Sequence, residues 1–198
     1  MAAVVVDPAK VREFTDFAGF YAWLAEHHDR ADELWIKLHK KGSGLASITP
    51  KEAIDAALCW GWIDAVKKSF DADSYLQRYT PRRAKSIWSE VNVENVARLI
   101  DEGRMRAPGL REVEAARADG RWERAYGRAK DMPIPEDLLA AIEPVPTAKA
   151  MLARLDARNR FALAFRIHGL KTAAGRERAI ARYVEMLARG ETIWPQTG

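Results

Sequence analysis

The stretch "TPKEAIDAALCWGWIDAVKKSF", residues 49–70, decides the predicted fold, because a helical pattern changes into a strand pattern within it. Thr49 suits the N-cap of a helix, Pro50 its first position and Glu52 the reciprocal position of a capping box. Gly61 is the residue type that commonly ends a helix. The sequence therefore predicts a helix ending near Gly61 and a strand that begins directly after it.

Further strand patterns lie on both sides of this stretch. In "ELWIKLHKKGSG" three apolar residues alternate with three others, which is the period of a half-buried strand: Leu34, Ile36 and Leu38 against Trp35, Lys37 and His39. In the segment 62–80, the residues before and after a polar turn at 71–74 are typical of β-strands, and Pro81 follows the segment. We therefore expect an α+β fold with a small antiparallel sheet of about three strands.

The chain after Pro81 has helical spacing. In "NVENVARLIDEG", Asn92 suits a helix cap and Gly103 a helix end. The segments "TAKAMLARLDARNRFALAFRI" and "GRERAIARYVEMLARG" are predicted as amphipathic helices. A polar joint with a proline at about residues 128–135 suggests two parts, an α+β domain over 1–127 and a helical subdomain over 135–198 packed on it.

Composition is that of an ordinary globular protein, with 198 residues, 48% apolar and 30% charged. A single cysteine excludes an internal disulfide, and no stretch approaches the ~20 apolar residues of a membrane helix. The start "MAAVVVDPAKVREF" has no basic segment before its short apolar run, so we expect no signal peptide and a cytoplasmic location. The net charge of +4 is compatible with acidic partners without favouring nucleic acid.

Basic residues are concentrated around "RYTPRRAKS". Arg78, Arg82, Arg83 and Lys85 lie near the end of the predicted hairpin, while Lys67 lies on its first arm. Arginine matches carboxylate and phosphate groups bidentately, so one interpretation is an anion site. The alternative is a solvated basic edge that discourages aggregation of the sheet.

A candidate pocket combines these cations with nearby aromatic and polar residues: Trp62, Asp64, Lys67, Arg78, Arg82, Ser86, Trp88 and Asn92. In it Arg78 and Arg82 would hold an anion, the tryptophans would cover an apolar part of the ligand and Asn92 would fix its orientation. Asp64 is either a general base in a partly apolar cleft or a structural partner of an arginine.

Other reactive residue types do not form a recognisable site. Cys59 lies at the C-terminal end of its predicted helix, where the helix dipole disfavours a thiolate, so we expect it to be buried and inert. The segment "KKGSG" lacks P-loop spacing, and the four histidines show no metal-ligand pattern. We predict no cofactor and no metal.

Five segments, in this order, resemble the YdeI/OmpD-associated, bacteriocin-protection-like family of bacterial proteins: "CWGWIDAVKK", "RYTPRRAKSIWS", "NVARLIDEGRM", "ADGRWERAY" and "AIARYVEMLARGE". The resemblance covers roughly residues 12 to 192, and "GWID" and "TPRR" are its most specific parts. It implies an association with antimicrobial-peptide resistance and an outer-membrane porin, without a settled reaction. A cationic chain would repel cationic peptides, so the resemblance does not imply that it sequesters them.

Three functions follow from the sequence as hypotheses. The first is recognition of a small anionic ligand, either nucleotide-like or an acidic metabolite, in the candidate pocket. The second is an enzyme, a hydrolase or transferase, that uses Asp64 as general base while arginines stabilise developing negative charge. The third is a nucleic-acid or protein interaction module that uses the basic surface, with steep salt dependence. No sequence feature indicates the oligomeric state.

Overall fold

The computed structural model of the chain describes residues 5–127, 132–170 and 172–196. The chain forms two compact units, residues 1–126 and 127–198. Of the predicted joint at about residues 128–135, residues 128–131 lie outside the described part. The prediction that the C-terminal subdomain packs on the first domain stays a prediction.

The first unit is an α+β structure with a mixed four-stranded sheet. After a short 3-10 helix at Pro8–Lys10, its elements are β1 (Val11–Arg12), α1 (Phe17–His27), β2 (Leu34–His39), α2 (Pro50–Cys59), β3 (Trp62–Ser69), β4 (Ser74–Pro81), α3 (Glu90–Asp101) and α4 (Ala107–Ala118). The strand order is β1-β2-β4-β3. The α+β class is confirmed and the three-stranded antiparallel sheet is wrong, because β1 adds a fourth strand that runs parallel to β2. A two-residue strand is too short to show a period in sequence.

The capping box at the start of α2 is confirmed. The Thr49 hydroxyl accepts a hydrogen bond from the Glu52 amide at 3.2 Å, and the Glu52 carboxylate accepts one from the Thr49 amide at 2.9 Å. Gly61 follows the helix with φ of +74°, a left-handed conformation that glycine adopts without strain. The chain thus turns directly from α2 into β3.

The hairpin of β3 and β4 is also confirmed, and its strands contain a register shift. Trp62 pairs with Pro81 and Asp64 with Tyr79, and the register then shifts between Asp64 and Lys67. The side-chain amide of Gln77 donates to the Ala65 carbonyl at 3.2 Å, so it binds backbone within the irregular segment. This β-bulge lies on an edge strand, where bulges and lysines limit unwanted strand pairing.

Two apolar clusters stabilise the first unit. In one, α1 and α2 cover one face of the sheet; its buried members include Phe20, Leu24, Leu34, Ile36, Leu38, Ile48, Trp62 and Tyr79. The other joins α2 to α3 and α4; its buried members include Leu58, Cys59, Trp88, Val96, Leu99 and Val113. Helix α1 was not among the sequence predictions, although it contributes two residues to the first cluster.

Helix α3 begins three residues earlier than its sequence indicates. Ser89 is the N-cap, and its hydroxyl accepts a hydrogen bond from the Asn92 amide at 3.2 Å. The prediction of Asn92 as the cap is therefore wrong, since both residues suit a cap and the earlier one is used. Asn92 lies in the first turn of the helix.

The second unit is helical over its described residues: α5 (Glu136–Ile142), α6 (Pro146–Arg154), α7 (Ala157–His168) and α8 (Ala173–Ala188). The segment predicted as one helix is two, because Asp156 caps a new helix by accepting a hydrogen bond from the Asn159 amide at 2.7 Å. The helices share one apolar core with buried residues such as Leu138, Ile142, Leu163, Ile167 and Leu187. Within the described residues no helix is long and apolar enough to cross a membrane.

Candidate functional site

Trp62, one of the predicted pocket residues, lies in the core beneath the sheet. Its side chain is 1% exposed, and its indole nitrogen donates to the His28 carbonyl at 3.1 Å. The Trp23 ring meets it edge to face at 5.8 Å between centroids. Trp62 therefore joins α1 to β3 and presents no surface on which a ligand could stack.

Arg78 and Lys67 are engaged elsewhere on the hairpin. The Arg78 guanidinium binds the Glu33 carboxylate through Nε at 2.6 Å and Nη2 at 2.5 Å. The Lys67 ammonium lies 3.7 Å from the centre of the Tyr75 ring, a cation–π contact on an exposed strand. Both charges thus have a local partner that accounts for their position.

Arg82 has a different environment, because it is 7% exposed. Its backbone amide continues the β-ladder by donating to the Gly61 carbonyl at 2.9 Å. Its guanidinium lies 3.5 Å from the centre of the Trp88 ring, and Nη1 makes one long contact of 3.4 Å with the Ile87 carbonyl. The buried Nε has no hydrogen-bond partner, and no carboxylate of a described residue lies within 4.0 Å.

Arg121 is a second, partly buried cation beside the loop that contains Trp88, with a side chain that is 12% exposed. Its Nε donates to the Asp119 carboxylate at 2.7 Å, and its Nη1 donates to the Ser86 carbonyl at 2.9 Å. Burial lowers the pKa of Arg82 to about 10, the Glu112 carboxylate opposes that change and the Arg121 charge adds to it. The two arginines therefore act on each other as like charges in a poorly solvated place.

The predicted residues Ser86, Trp88 and Asn92 lie on or next to this loop. The Ser86 hydroxyl accepts from the Arg83 amide at 3.1 Å, which closes the turn after β4. The Tyr126 amide donates to the Trp88 carbonyl at 3.0 Å, and the Tyr126 carbonyl accepts from the first amide of α3 at 2.9 Å. The segment around Tyr126 thus fixes the loop against the start of α3.

Asp64 is half-buried on β3, and burial raises the pKa of its carboxyl group, with its own backbone amide and the Arg82 charge opposing the rise. It pairs with Tyr79, whereas Ile63 pairs with Thr80. Since side chains alternate along a strand, Asp64 shares a face with Tyr79, and Arg82 follows on the face of Thr80. The register therefore places Asp64 and Arg82 on opposite faces of the hairpin, although their charges still act on each other.

The structure thus brings Arg82, Ser86 and Trp88 together, with Asn92 nearby, and places Trp62, Asp64, Lys67 and Arg78 in other surroundings. Sequence reasoning missed Arg121, which lies in the segment "ADGRWERAY". The available signal in the sequence was Gly120 directly before it, because glycine commonly ends a helix and turns the chain. Gly120 has the left-handed conformation common at such ends, with φ of +73°. Within the described ranges no group of three His, Cys, Asp or Glu residues could hold a metal ion.

Two family models match the chain. The family described as Domain of unknown function (DUF8412) matches residues 12–112, just over half of the chain. The family described as Bacteriocin-protection, YdeI or OmpD-Associated matches residues 131–190. No curated protein and no solved structure is significantly similar.

The resemblance to the YdeI/OmpD-associated family is confirmed in the C-terminal part of the chain. It covers residues 131–190 and not the expected range of roughly 12 to 192. The "GWID" and "TPRR" segments, regarded as its most specific parts, lie within the other family match. Arg82 and Arg121 also lie outside the YdeI match, and Arg121 lies between the two matched ranges. The C-terminal helical part thus matches the YdeI/OmpD-associated, bacteriocin-protection family, and the chain belongs to the family described as Domain of unknown function (DUF8412).

Proposed function

We propose that the first unit binds a small oxyanion, a carboxylate or a phosphate, between Arg82 and Arg121 beside Trp88. The observation that carries the proposal is the burial of the Arg82 guanidinium without a carboxylate partner among the residues that the structure describes. A buried charge costs several kcal/mol unless it is paired and hydrogen-bonded. An anion at this place would supply the missing partner and relieve the repulsion between the two arginines.

Two donors of Arg82 are unused by the described residues, and the site must open enough for an anion to reach them. Nη1 is directed to the Ile87 carbonyl, whereas neither Nε nor Nη2 donates to a described residue. The edge formed by Nε and Nη2 is a fork that matches two oxygens of a carboxylate or phosphate. The Trp88 ring supports the flat face of the guanidinium and keeps that edge in a fixed orientation.

The Arg82→Lys variant tests the proposal, because lysine keeps the charge and loses the fork. The melting temperature is measured with increasing phosphate, and separately with acetate, for wild type, Arg82→Lys, Arg121→Lys and the control Arg83→Lys. Arg83 is the exposed neighbour, so its variant changes the same residue type without the buried site. We expect both anions to stabilise wild type and the control, with at least one of them losing most of its effect in Arg82→Lys. Equal anion effects in wild type and both site variants would disprove the proposal.

Acid–base chemistry at Asp64 is the second candidate function, and the raised pKa of its half-buried carboxyl group favours it. A general base is more effective when its pKa approaches the working pH. This candidate does not use the arginine pair, because the strand register directs Asp64 to the other face of the hairpin. A product that forms with wild type and not with Asp64→Asn, in incubations with candidate esters or phosphoesters, would support it.

A further inference from the structure

A pair of exposed arginines on α7 borders an aromatic ring in the second unit. The guanidinium groups of Arg158 and Arg166 lie 4.6 and 5.8 Å from the centre of the Trp194 ring. Both arginines are exposed, and neither has a carboxylate within 4.0 Å among the described residues. We call these three residues the Arg-Trp-Arg surface.

Trp194 is held in place by a buried side chain. Asn159, which is 1% exposed, accepts from the Trp194 amide at 2.9 Å and donates to the Trp194 carbonyl at 3.1 Å. The same Asn159 amide nitrogen lies 3.1 Å from an Asp156 carboxylate oxygen and 3.2 Å from the Gln196 side-chain oxygen, so its two N–H groups are shared among three acceptors and hold the segment after α8 to the start of α7. Because buried polar networks of this kind rigidify their surroundings, the ring has a defined position beside both arginines.

Neither Arg158 nor Arg166 donates a hydrogen bond to a described residue, so the hydrogen-bonding edges of both are unused in this part of the chain. A guanidinium that lies over a ring uses its flat face there, and its N–H groups remain in the plane, directed outward. Arg158 and Arg166 are eight positions apart, about 12 Å along the helix axis, so their side chains reach the same ring from different turns of α7. The surface therefore offers two guanidinium forks beside one aromatic ring.

We propose that the Arg-Trp-Arg surface binds an acidic peptide segment of a protein partner, in which two acidic groups flank an apolar side chain. Each fork would bind one carboxylate bidentately, and the apolar side chain would lie against the indole. Charge complementarity supports this partner, since both cations lack a carboxylate within the described part of the chain.

The balance of charge in the unit favours a peptide over nucleic acid. Its described residues include nine arginines or lysines and seven aspartates or glutamates, so positive charge does not extend over the whole unit. Nucleic-acid binding usually depends on many phosphate contacts, about 6–10, and a wide basic surface. Two arginines at one ring instead suit a short segment with two acidic groups.

Fluorescence anisotropy with the full chain tests the proposal. The probe is a fluorescein-labelled peptide in which two Glu-Asp pairs flank a leucine, and its controls are the Gln-Asn version and a single-stranded oligothymidylate of equal charge. We expect wild type to bind the acidic peptide more tightly than either control. The double variant Arg158→Gln/Arg166→Gln should weaken that binding at least tenfold.

Two further variants separate this surface from general attraction. Arg154→Gln/Arg178→Gln removes the same charge from exposed arginines elsewhere in the unit and should bind as wild type does. Trp194→Leu keeps both arginines and should bind several-fold more weakly, since the ring that orients them is lost. Equal losses in the two double variants, unchanged binding by Trp194→Leu, or tighter binding of the oligonucleotide with steep salt dependence would each overturn the proposal. Circular dichroism confirms that each variant is folded.

Discussion

At the scale of single residues, the same residue type has different roles four positions apart. Arg78 pairs with Glu33, whereas Arg82 is buried on Trp88 and has no carboxylate partner within residues 5–127, 132–170 and 172–196. In "RYTPRR", Arg78 lies just before the end of β4 and Arg82 just after it. Their local sequence therefore does not predict that their environments differ. The distinction arises from residues distant in sequence, Glu33 in one case and Arg121 in the other.

Cys59 is predicted to be unreactive in the folded protein. It is fully buried, and burial raises the pKa of its thiol to about 11, so the thiolate is scarce at neutral pH. A chromogenic disulfide reagent should label it slowly in the native protein and rapidly in guanidinium chloride. Equal labelling rates in the two conditions would contradict the prediction.

Asp64 is predicted to reduce stability once it ionises. Its pKa in the folded protein lies above the ordinary value of 3.8, so the folded state binds the proton more tightly than the unfolded chain. Protonation of Asp64 contributes its full stabilisation below the ordinary pKa of 3.8. This contribution is lost as the pH rises through the pKa of the folded state. Asp64→Asn should therefore be more stable than wild type at neutral pH, with the difference shrinking below about pH 4.

Glu52→Gln is the control for Asp64→Asn, because the pKa of Glu52 is shifted in the opposite direction. Hydrogen bonds from the Thr49 amide and hydroxyl hold the pKa of Glu52 below its usual value. The ionised form therefore stabilises the folded state, and Glu52→Gln should lower the melting temperature at neutral pH with little effect in acid. Equal pH dependence of the two variants in thermal melts would show that Asp64 is not desolvated.

At the scale of elements, helix α4 approaches the end of α2 closely at Gly109. A Cβ atom at this position would lie 2.5 Å from the Cys59 carbonyl oxygen and 2.6 Å from that of Leu58. Both neighbours are backbone atoms and cannot rotate away. Gly109→Ala should therefore lower the free energy of unfolding by about 2 kcal/mol, as overpacking does.

Gly19→Ala in α1 is the matched control for Gly109→Ala. A Cβ atom at Gly19 would meet its nearest neighbour at 3.5 Å, which is ordinary contact. The alanine should stabilise the helix by up to about 1 kcal/mol through lower chain entropy. Urea denaturation measures both variants, and a stable Gly109→Ala would mean that the two helices are further apart than described.

At the scale of the whole molecule, the two compact units have separate apolar cores. We predict that residues 1–126 and 127–198, produced as separate chains, each fold and unfold cooperatively. Circular dichroism during heating measures this, with the full chain as reference. A helical fragment 127–198 that melts without a cooperative transition would contradict the prediction.

The sequence by itself determined the local elements of this protein. The capping box at Thr49, the strand β2, the hairpin around residues 71–74 and the glycine after α2 were all predicted. Each depends on residues within a few positions, where periodicity and capping act. The alternation expected in β2 is broken at Trp35, which is fully buried between Leu34 and Ile36. The exact start of α3 was missed because two capping residues compete in the same short segment.

Only the tertiary structure decided which of the predicted site residues meet. The parallel pairing of β1, the ion pair of Arg78 with Glu33 and the approach of Arg121 to Arg82 join residues far apart in the chain. The side of β3 on which Asp64 lies depends on strand register, which packing against the helices selects. Local pattern carries no information about such partners, because burial and pairing energies are settled when distant elements pack together.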